Sequence, residues 1–209
     1  MRIKVCGNTD LTQLQQLDEL KIDYVGLIFY EQSSRYVLKS LLGKDVRKLK
    51  LSIPKVGVFV NASEEEIMKQ IEDFDLDMVQ LHGDETVSFC NRISDHIKVI
   101  KAFRIADLEK NIDWIVKEYE EVCDYYLFDK GSAGLYGGTG EKFNWELLKK
   151  ASLKKPFFLS GGIGRDDVKA LKEFNHPFLY GVDVNSRFEI KAGIKDMNLI
   201  KAFKTDLEN

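Results

Sequence analysis

Basic charge, proline, cysteine and long apolar runs are all scarce in this chain, and each scarcity removes a class of protein. Lys and Arg (31) are outnumbered by Asp and Glu (34), for a net charge of −3. Nucleic acids and anionic membranes recruit basic faces, so neither is expected as a partner. The longest strongly apolar stretches, such as Tyr24-Val25-Gly26-Leu27-Ile28-Phe29-Tyr30, fall far short of the ~18 residues of a membrane span. Cys6, Cys90 and Cys123 are isolated, with no CxxC spacing, so no structural zinc or other metal site is expected. An odd cysteine count without a signal-peptide pattern fits a reducing cytoplasm. Proline occurs only at Pro54, Pro156 and Pro177, each just before a strand-like run, where a missing amide hydrogen does least harm. There is no linker, low-complexity segment or repeat. The 209 residues, 44% hydrophobic, are therefore expected to bury one core as one domain, 1–209.

What is present is a rhythm. Short runs rich in Val, Ile, Phe and Tyr are centred at 2–6, 24–29, 55–60, 77–81, 97–103, 124–129, 156–160 and 179–184. Each is too short for a helix. Between them lie amphipathic stretches near 10–20, 38–49, 64–73, 85–94, 106–119, 143–150, 165–174 and 195–204, with apolar residues three and four apart. Asn61-Ala62-Ser63 before Glu64-Glu65-Glu66 marks one helix start, with a capping hydroxyl and acidic residues at the positive end of the dipole. Eight such alternations predict the α/β class and a parallel eight-stranded (β/α)8 TIM barrel; a doubly wound open sheet is the alternative.

In a barrel the C-terminal strand ends share one mouth, so residues far apart in sequence meet there. Those ends carry Cys6, Gly7 and Asn8; Ser33, Ser34, Arg35 and Tyr36; Gln80 to Gly83 around His82; Lys101 to Arg104; and Asp129. The later loops are built for an anion: Gly131 to Gly134, Gly137 to Gly140, Ser160-Gly161-Gly162-Ile163-Gly164 and Asn185-Ser186-Arg187. Glycines let backbone amides approach a phosphate. Each feature also has an ordinary reading. A strand cysteine is more often inert core, a strand-end Asp also caps helices, and His82, Arg35 or a glycine-rich turn can be purely structural. Their common placement at one mouth favours the joint reading of Cys6 as base and Asp129 as acid.

The segments KVCGNT (4–9), GLIFYEQSSRYV (26–37), VGVFVN (56–61), VQLHGDE (79–85), KAFR (101–104), GGTG (137–140), LSGGI (159–163) and GVDVNSRFE (181–189) resemble phosphoribosylanthranilate isomerases in order and spacing, over essentially the whole chain. The resemblance implies a cofactor-free Amadori rearrangement in tryptophan biosynthesis, from N-(5'-phosphoribosyl)anthranilate to 1-(2-carboxyphenylamino)-1-deoxyribulose 5-phosphate. It implies Cys6 as general base, Asp129 as general acid and Arg35 as the holder of the anthranilate carboxylate, with His82 and Asp183 lining the site. The small-molecule phosphosugar-anthranilate substrate is the implied partner, in a monomer or homodimer. The phosphate is placed between Gly161-Gly162 and Asn185-Ser186. Two departures from the family are Ser34, where many members have proline, and Arg187, where many have a small residue. Arg187 either contacts phosphate or points to solvent.

The residue types suit the reaction independently. Ring opening needs a proton on the furanose oxygen, and the iminium then loses its C2 proton. Asp129 must arrive protonated, and Cys6 must reach its thiolate from a free value of ~8.5. Lys4, two residues before Cys6 on the same strand face, either favours that thiolate or pairs with Asp183 across the barrel closure. Rival functions are a Schiff-base lyase or synthase using Lys4 or Lys101, a silent phosphosugar-binding barrel, and a thiol hydrolase, which would need a histidine partner for Cys6.

Overall fold

The computed structural model describes residues 1–105, 112–130 and 145–209. The apolar runs form parallel strands β1 (Arg2–Val5), β2 (Tyr24–Ile28), β3 (Lys55–Phe59), β4 (Met78–Leu81), β5 (Lys98–Arg104), β6 (Tyr125–Asp129), β7 (Phe157–Leu159) and β8 (Leu179–Val184). They pair in sequence order, and β8 closes on β1 with Lys4 opposite Asp183. Closure excludes the open doubly wound sheet.

Helices α1 (Leu11–Glu19), α2 (Gly43–Lys48), α3 (Glu64–Phe74), α4 (Val87–Ser94), α5 (Ile112–Glu118), α6 (Glu146–Lys149), α7 (Val168–Glu173) and α8 (Met197–Glu208) surround the barrel. Ser63 caps α3 as expected, its Oγ accepting from the Glu66 amide at 3.1 Å. The amphipathic stretch 38–49 is not one helix. A 3-10 turn, Val37–Lys39, precedes an extended Leu42, and α2 begins at Gly43, where a Cβ would strike the Asp73 carbonyl oxygen. Likewise 165–174 opens with a 3-10 turn, Arg165–Asp167. A hairpin, β9 (Glu189–Lys191) and β10 (Ile194–Lys195), turns at Gly193 (φ +82°) just before α8, where the sequence reading begins the helix at 195.

Two apolar layers hold the molecule. The larger lies between strands and helices, and the smaller fills the barrel with Val56, Met78, Ile100, Ala102, Leu127 and Phe158. Tyr24, Tyr125 and Tyr180 close its lower end around Phe158, with the Tyr24 and Tyr180 hydroxyls 2.7 Å apart. The barrel is thus a packed core rather than a pore, and only its C-terminal end is open for chemistry. Among the described residues no helix is long and apolar enough to cross a membrane.

Candidate active site

Strand parity aims the chemistry inward. Side chains alternate along a strand, so Lys4 and Cys6 share the barrel side of β1 and its end, as Leu127 and Asp129 do on β6 and Gln80 and His82 on β4 and its end. Room for the Cys6 thiol comes from Gly26 on β2. A Cβ there would lie 2.7 Å from Sγ and 3.0 Å from the Cys6 Cα. The Gly26 carbonyl also accepts from the Gly7 amide at 3.0 Å and from the buried Asn8 side chain at 3.1 Å, which fixes the turn after β1.

Asp129 is buried, and His82 Nε2 lies 3.4 Å from its Oδ2 without a hydrogen bond between them. The other ring nitrogen, Nδ1, is 2.6 Å from Gln80 Nε2. That contact turns the ring so that Nε2 faces Asp129. Gly161 (φ +87°) passes beneath the acid. A Cβ there would sit 2.9 Å from Asp129 Oδ1 and 2.8 Å from the Lys130 amide.

Arg35, from the loop after β2, is held by Glu189. Its Nε donates to the two carboxylate oxygens at 2.9 and 3.0 Å, and its Nη2 donates to Oε2 at 2.6 Å. Glu189 also accepts from Lys195 Nζ at 2.7 Å, and that ammonium donates to Asn185 Oδ1 at 2.8 Å. Gly7 (φ +75°) lies under this group, where a Cβ would come within 2.7 Å of Arg35 Cδ and 2.8 Å of Asn185 Oδ1.

The Lys4 alternatives resolve into a pair. Its Nζ donates to Asp183 Oδ1 at 2.9 Å, with both side chains buried. Burial works to lower the Lys4 ammonium, but Asp183 and Cys6 outweigh it and leave it raised. Burial pushes the Asp183 carboxyl up, against the pull of Lys4. The Cys6 thiol is also pushed above its ordinary value, first by burial. Lys4 and Lys195 draw it down, and Asp183 opposes them. Lys4 therefore favours the thiolate only in part.

Lys101 is equally committed, donating to Glu85 Oε2 at 2.9 Å and to the Gly83 and Leu81 carbonyls at 2.8 and 3.3 Å. Neither lysine lines the mouth, which removes the support for a Schiff-base enzyme. His82 is engaged with Gln80 and Asp129 rather than with Cys6, which removes that for a thiol hydrolase.

The nine site residues expected from the sequence border one cleft, open at the mouth: Cys6, Arg35, His82, Asp129, Gly161, Gly162, Asp183, Asn185 and Ser186. Arg187 joins that wall, its Nε 2.7 Å from where a Gly164 Cβ would stand and its Nη2 3.9 Å from Asp166 Oδ2. The glycine-rich stretches 131–134 and 137–140 and the helix start at 106–111 lie outside the described residues. Among the described residues no His, Cys, Asp and Glu cluster could hold a metal ion. Gln80, expected only as one of the polar residues at a strand end, also lines the cavity, while Gly26, Glu189 and Lys195 were not expected from the sequence. Only Gly26, a glycine inside a strand, carried a signal of close approach.

The profile of the family described as N-(5'phosphoribosyl)anthranilate (PRA) isomerase matches residues 3–206. The chain belongs to the phosphoribosylanthranilate isomerase family. A family member from Parabacteroides distasonis, N-(5'-phosphoribosyl)anthranilate isomerase, is 40% identical over 97% of this chain and 91% of its own. The monomeric form generated from the dimeric isomerase of Thermotoga maritima is 32% identical, with a TM-score of 0.80 over 100% of this chain and 98% of that one. Another isomerase structure, in complex with reduced 1-(o-carboxyphenylamino)-1-deoxyribulose 5-phosphate, is 30% identical, with a TM-score of 0.78 over 100% of this chain and 98% of that one.

Proposed function

We propose that the mouth carries out the family's isomerisation by general acid–base catalysis, with Asp129 as the acid and Cys6 as the base. The reaction of this chain is the conversion of N-(5'-phosphoribosyl)anthranilate to 1-(2-carboxyphenylamino)-1-deoxyribulose 5-phosphate, a step of tryptophan biosynthesis. The observation that carries the assignment is the position of the two groups, on β6 and at the end of β1, facing one cavity with an arginine on one side and positive-φ glycines on the other.

Asp129 protonates the furanose ring oxygen, the C1–O bond breaks, and the nitrogen lone pair forms the C1 iminium. The Cys6 thiolate removes the C2 proton, whose electron pair closes a C1–C2 double bond and neutralises the iminium to an enolamine. Ketonisation then gives the product. One acid and one base suffice, so no cofactor or metal enters.

Arg35 takes the anthranilate carboxylate, for which a guanidinium edge offers paired donors. The amides of Gly161, Gly162, Asn185 and Ser186 take the phosphate, with the Arg187 guanidinium on the same wall. His82 beside Asp129, and Asp183 with Lys4, line the sugar. The protein acts in the cytoplasm as a monomer or homodimer; three buried cysteines with no disulfide between them suit the first, and the dimeric Thermotoga maritima relative supports the second. Complementation of a tryptophan auxotroph lacking this isomerase, alongside loss of anthranilate fluorescence in vitro, tests the reading. Failure of both would overturn it.

A further inference from the structure

Two charged residues on the β9–β10 hairpin are buried more deeply than the arginine they support. The Lys195 side chain is 0% exposed and that of Glu189 is 4%, against 14% for Arg35. Glu189 accepts from Arg35, from Lys195 and from the Gly193 amide at 3.0 Å, so its oxygens are saturated. Arg35 spends Nε and Nη2 on that carboxylate, while among the described residues Nη1 keeps only a 3.5 Å contact with Ser34 Oγ. One edge of the guanidinium is thereby fixed and the other is left for a ligand. Lys195 does the same for Asn185 through Oδ1. A buried ionic cluster is a poor way to stabilise a fold compared with apolar side chains of similar volume. Its geometry, however, orients two residues of the mouth at once. With one glutamate against one arginine and one lysine, the cluster keeps a net charge of +1, whereas Lys4 and Asp183 cancel.

We propose that Glu189 and Lys195 are positioning residues of the isomerase site. Glu189 presents the Arg35 guanidinium to the substrate carboxylate, while Lys195 orients Asn185 and supplies positive charge beside Cys6. The arginine arm rests on the assignment of Arg35 above. Asn185 Oδ1, which accepts from Lys195, lies 2.8 Å from where a Cβ on Gly7, the residue after Cys6, would stand, which brings the lysine to the Cys6 end of β1. The charged groups acting on the Cys6 thiol are Lys4 on its own strand, Asp183 on β8 and Lys195 on β10; burial and Arg35 draw the Lys195 ammonium down, and Glu189 and Cys6 hold it up. Consistent with this, Glu189 is held below the ordinary carboxylate range: burial would raise it, but Arg35 and Lys195 prevail.

The test has two arms, each with thermal melts to establish folding. In the first, Arg35→Ala, Glu189→Gln and the double variant are assayed with N-(5'-phosphoribosyl)anthranilate. Glu189→Gln should raise KM on the order of tenfold, more than it lowers kcat, as loss of an oriented charge-assisted contact does. The KM of the double variant should be no higher than that of Arg35→Ala alone, because Glu189 reaches the substrate carboxylate through Arg35. Additive rises in KM, or an unchanged KM in Glu189→Gln, would overturn the arginine role.

In the second arm, Cys6 is alkylated with iodoacetamide across pH and read by peptide mass. Lys195→Gln keeps an amide donor for Glu189 and Asn185 but loses the charge. The alkylation midpoint should move up by about half a pH unit or more, and Lys195→Arg should restore it. An unmoved midpoint in folded Lys195→Gln would overturn the lysine role. Because this arm needs no substrate, an enzyme that alkylates as expected but leaves the substrate unconsumed would refute the isomerase reading and spare this one.

Discussion

Gly26→Ala tests whether the thiol is placed by the absence of a side chain on the neighbouring strand. The added methyl would lie 2.7 Å from Cys6 Sγ, 3.0 Å from its Cα and 3.2 Å from its Cβ. Ordinary carbon contacts sit at about 3.5–4.0 Å, so the sulfur must retreat by roughly 1 Å. It cannot retreat cheaply, because Cys6 is buried and its amide is tied to the Val184 carbonyl at 2.9 Å. Overpacking of this kind costs about 1–3 kcal/mol of stability. A displacement of ~1 Å at a reacting group costs on the order of 10²-fold in rate, because the near-attack geometry is lost. The assay is steady-state turnover followed by anthranilate fluorescence, beside a thermal melt and substrate affinity in the Cys6→Ala background. The expected pattern is a large fall in kcat with affinity nearly kept. Turnover within about threefold of the parent, with chemistry limiting, would refute the claim that Gly26 sets the thiol's position.

Cys6→Ala and Asp129→Asn should each fold and lose roughly 10²–10⁴ in kcat, the usual weight of a positioned acid or base, while Cys90→Ser and Cys123→Ser keep turnover; single-turnover kinetics decides. Lys4→Met leaves Asp183 without its partner in the barrel interior and should cost about 3–5 kcal/mol, read in denaturant melts, unless Asp183 takes up a proton. Because burial raises the Cys6 thiol, and the thiolate is the base proposed above, kcat/KM should climb with pH along a limb alkaline of the free-thiol value of ~8.5. By linkage, stability should fall as pH rises past that value, since the unfolded thiol ionises first; a limb well to the acid side would show that the lysines dominate. Inorganic phosphate should inhibit the parent competitively, and Gly162→Asp, which adds strain at φ +65° and a like charge, should abolish that inhibition.

The strands were legible because β-branched and aromatic runs have a length that only strands fit, and the proline stops fall where edge amides are not needed. Pro54 and Pro156 still serve the sheet, since their carbonyls accept from Val25 and Tyr126. The convergence of the strand-end residues on one mouth was legible for the same reason, as parity and closure bring them together. Glu189 and Lys195 were not. They look like solvated charges in a polar stretch, and the hairpin that buries them has strands of only three and two residues, below any periodic signal. The break in 38–49 was hidden too, because the contact that forces it, Gly43 against Asp73, is made by α3 thirty residues on.

That contrast bears on how the mouth gathers charge. The chain is net negative, and its substrate brings a carboxylate and a phosphate, so attraction must be local rather than global. Inside the barrel the deepest lysine is cancelled by Asp183 within one ion pair, which leaves the floor beneath Cys6 neutral. The uncancelled positive charge lies higher, in the Arg35–Glu189–Lys195 cluster, and in Arg187, whose nearest carboxylate among the described ion pairs is 3.9 Å away. The two positions sit on different loops, as a substrate with anionic groups at both ends requires. On the assignment proposed above, an acid kept between them would act on the ring oxygen and a thiol below on C2. Strand parity alone could set the acid and base, but spacing two anion holders across the opening takes contacts from a hairpin that belongs to no barrel strand.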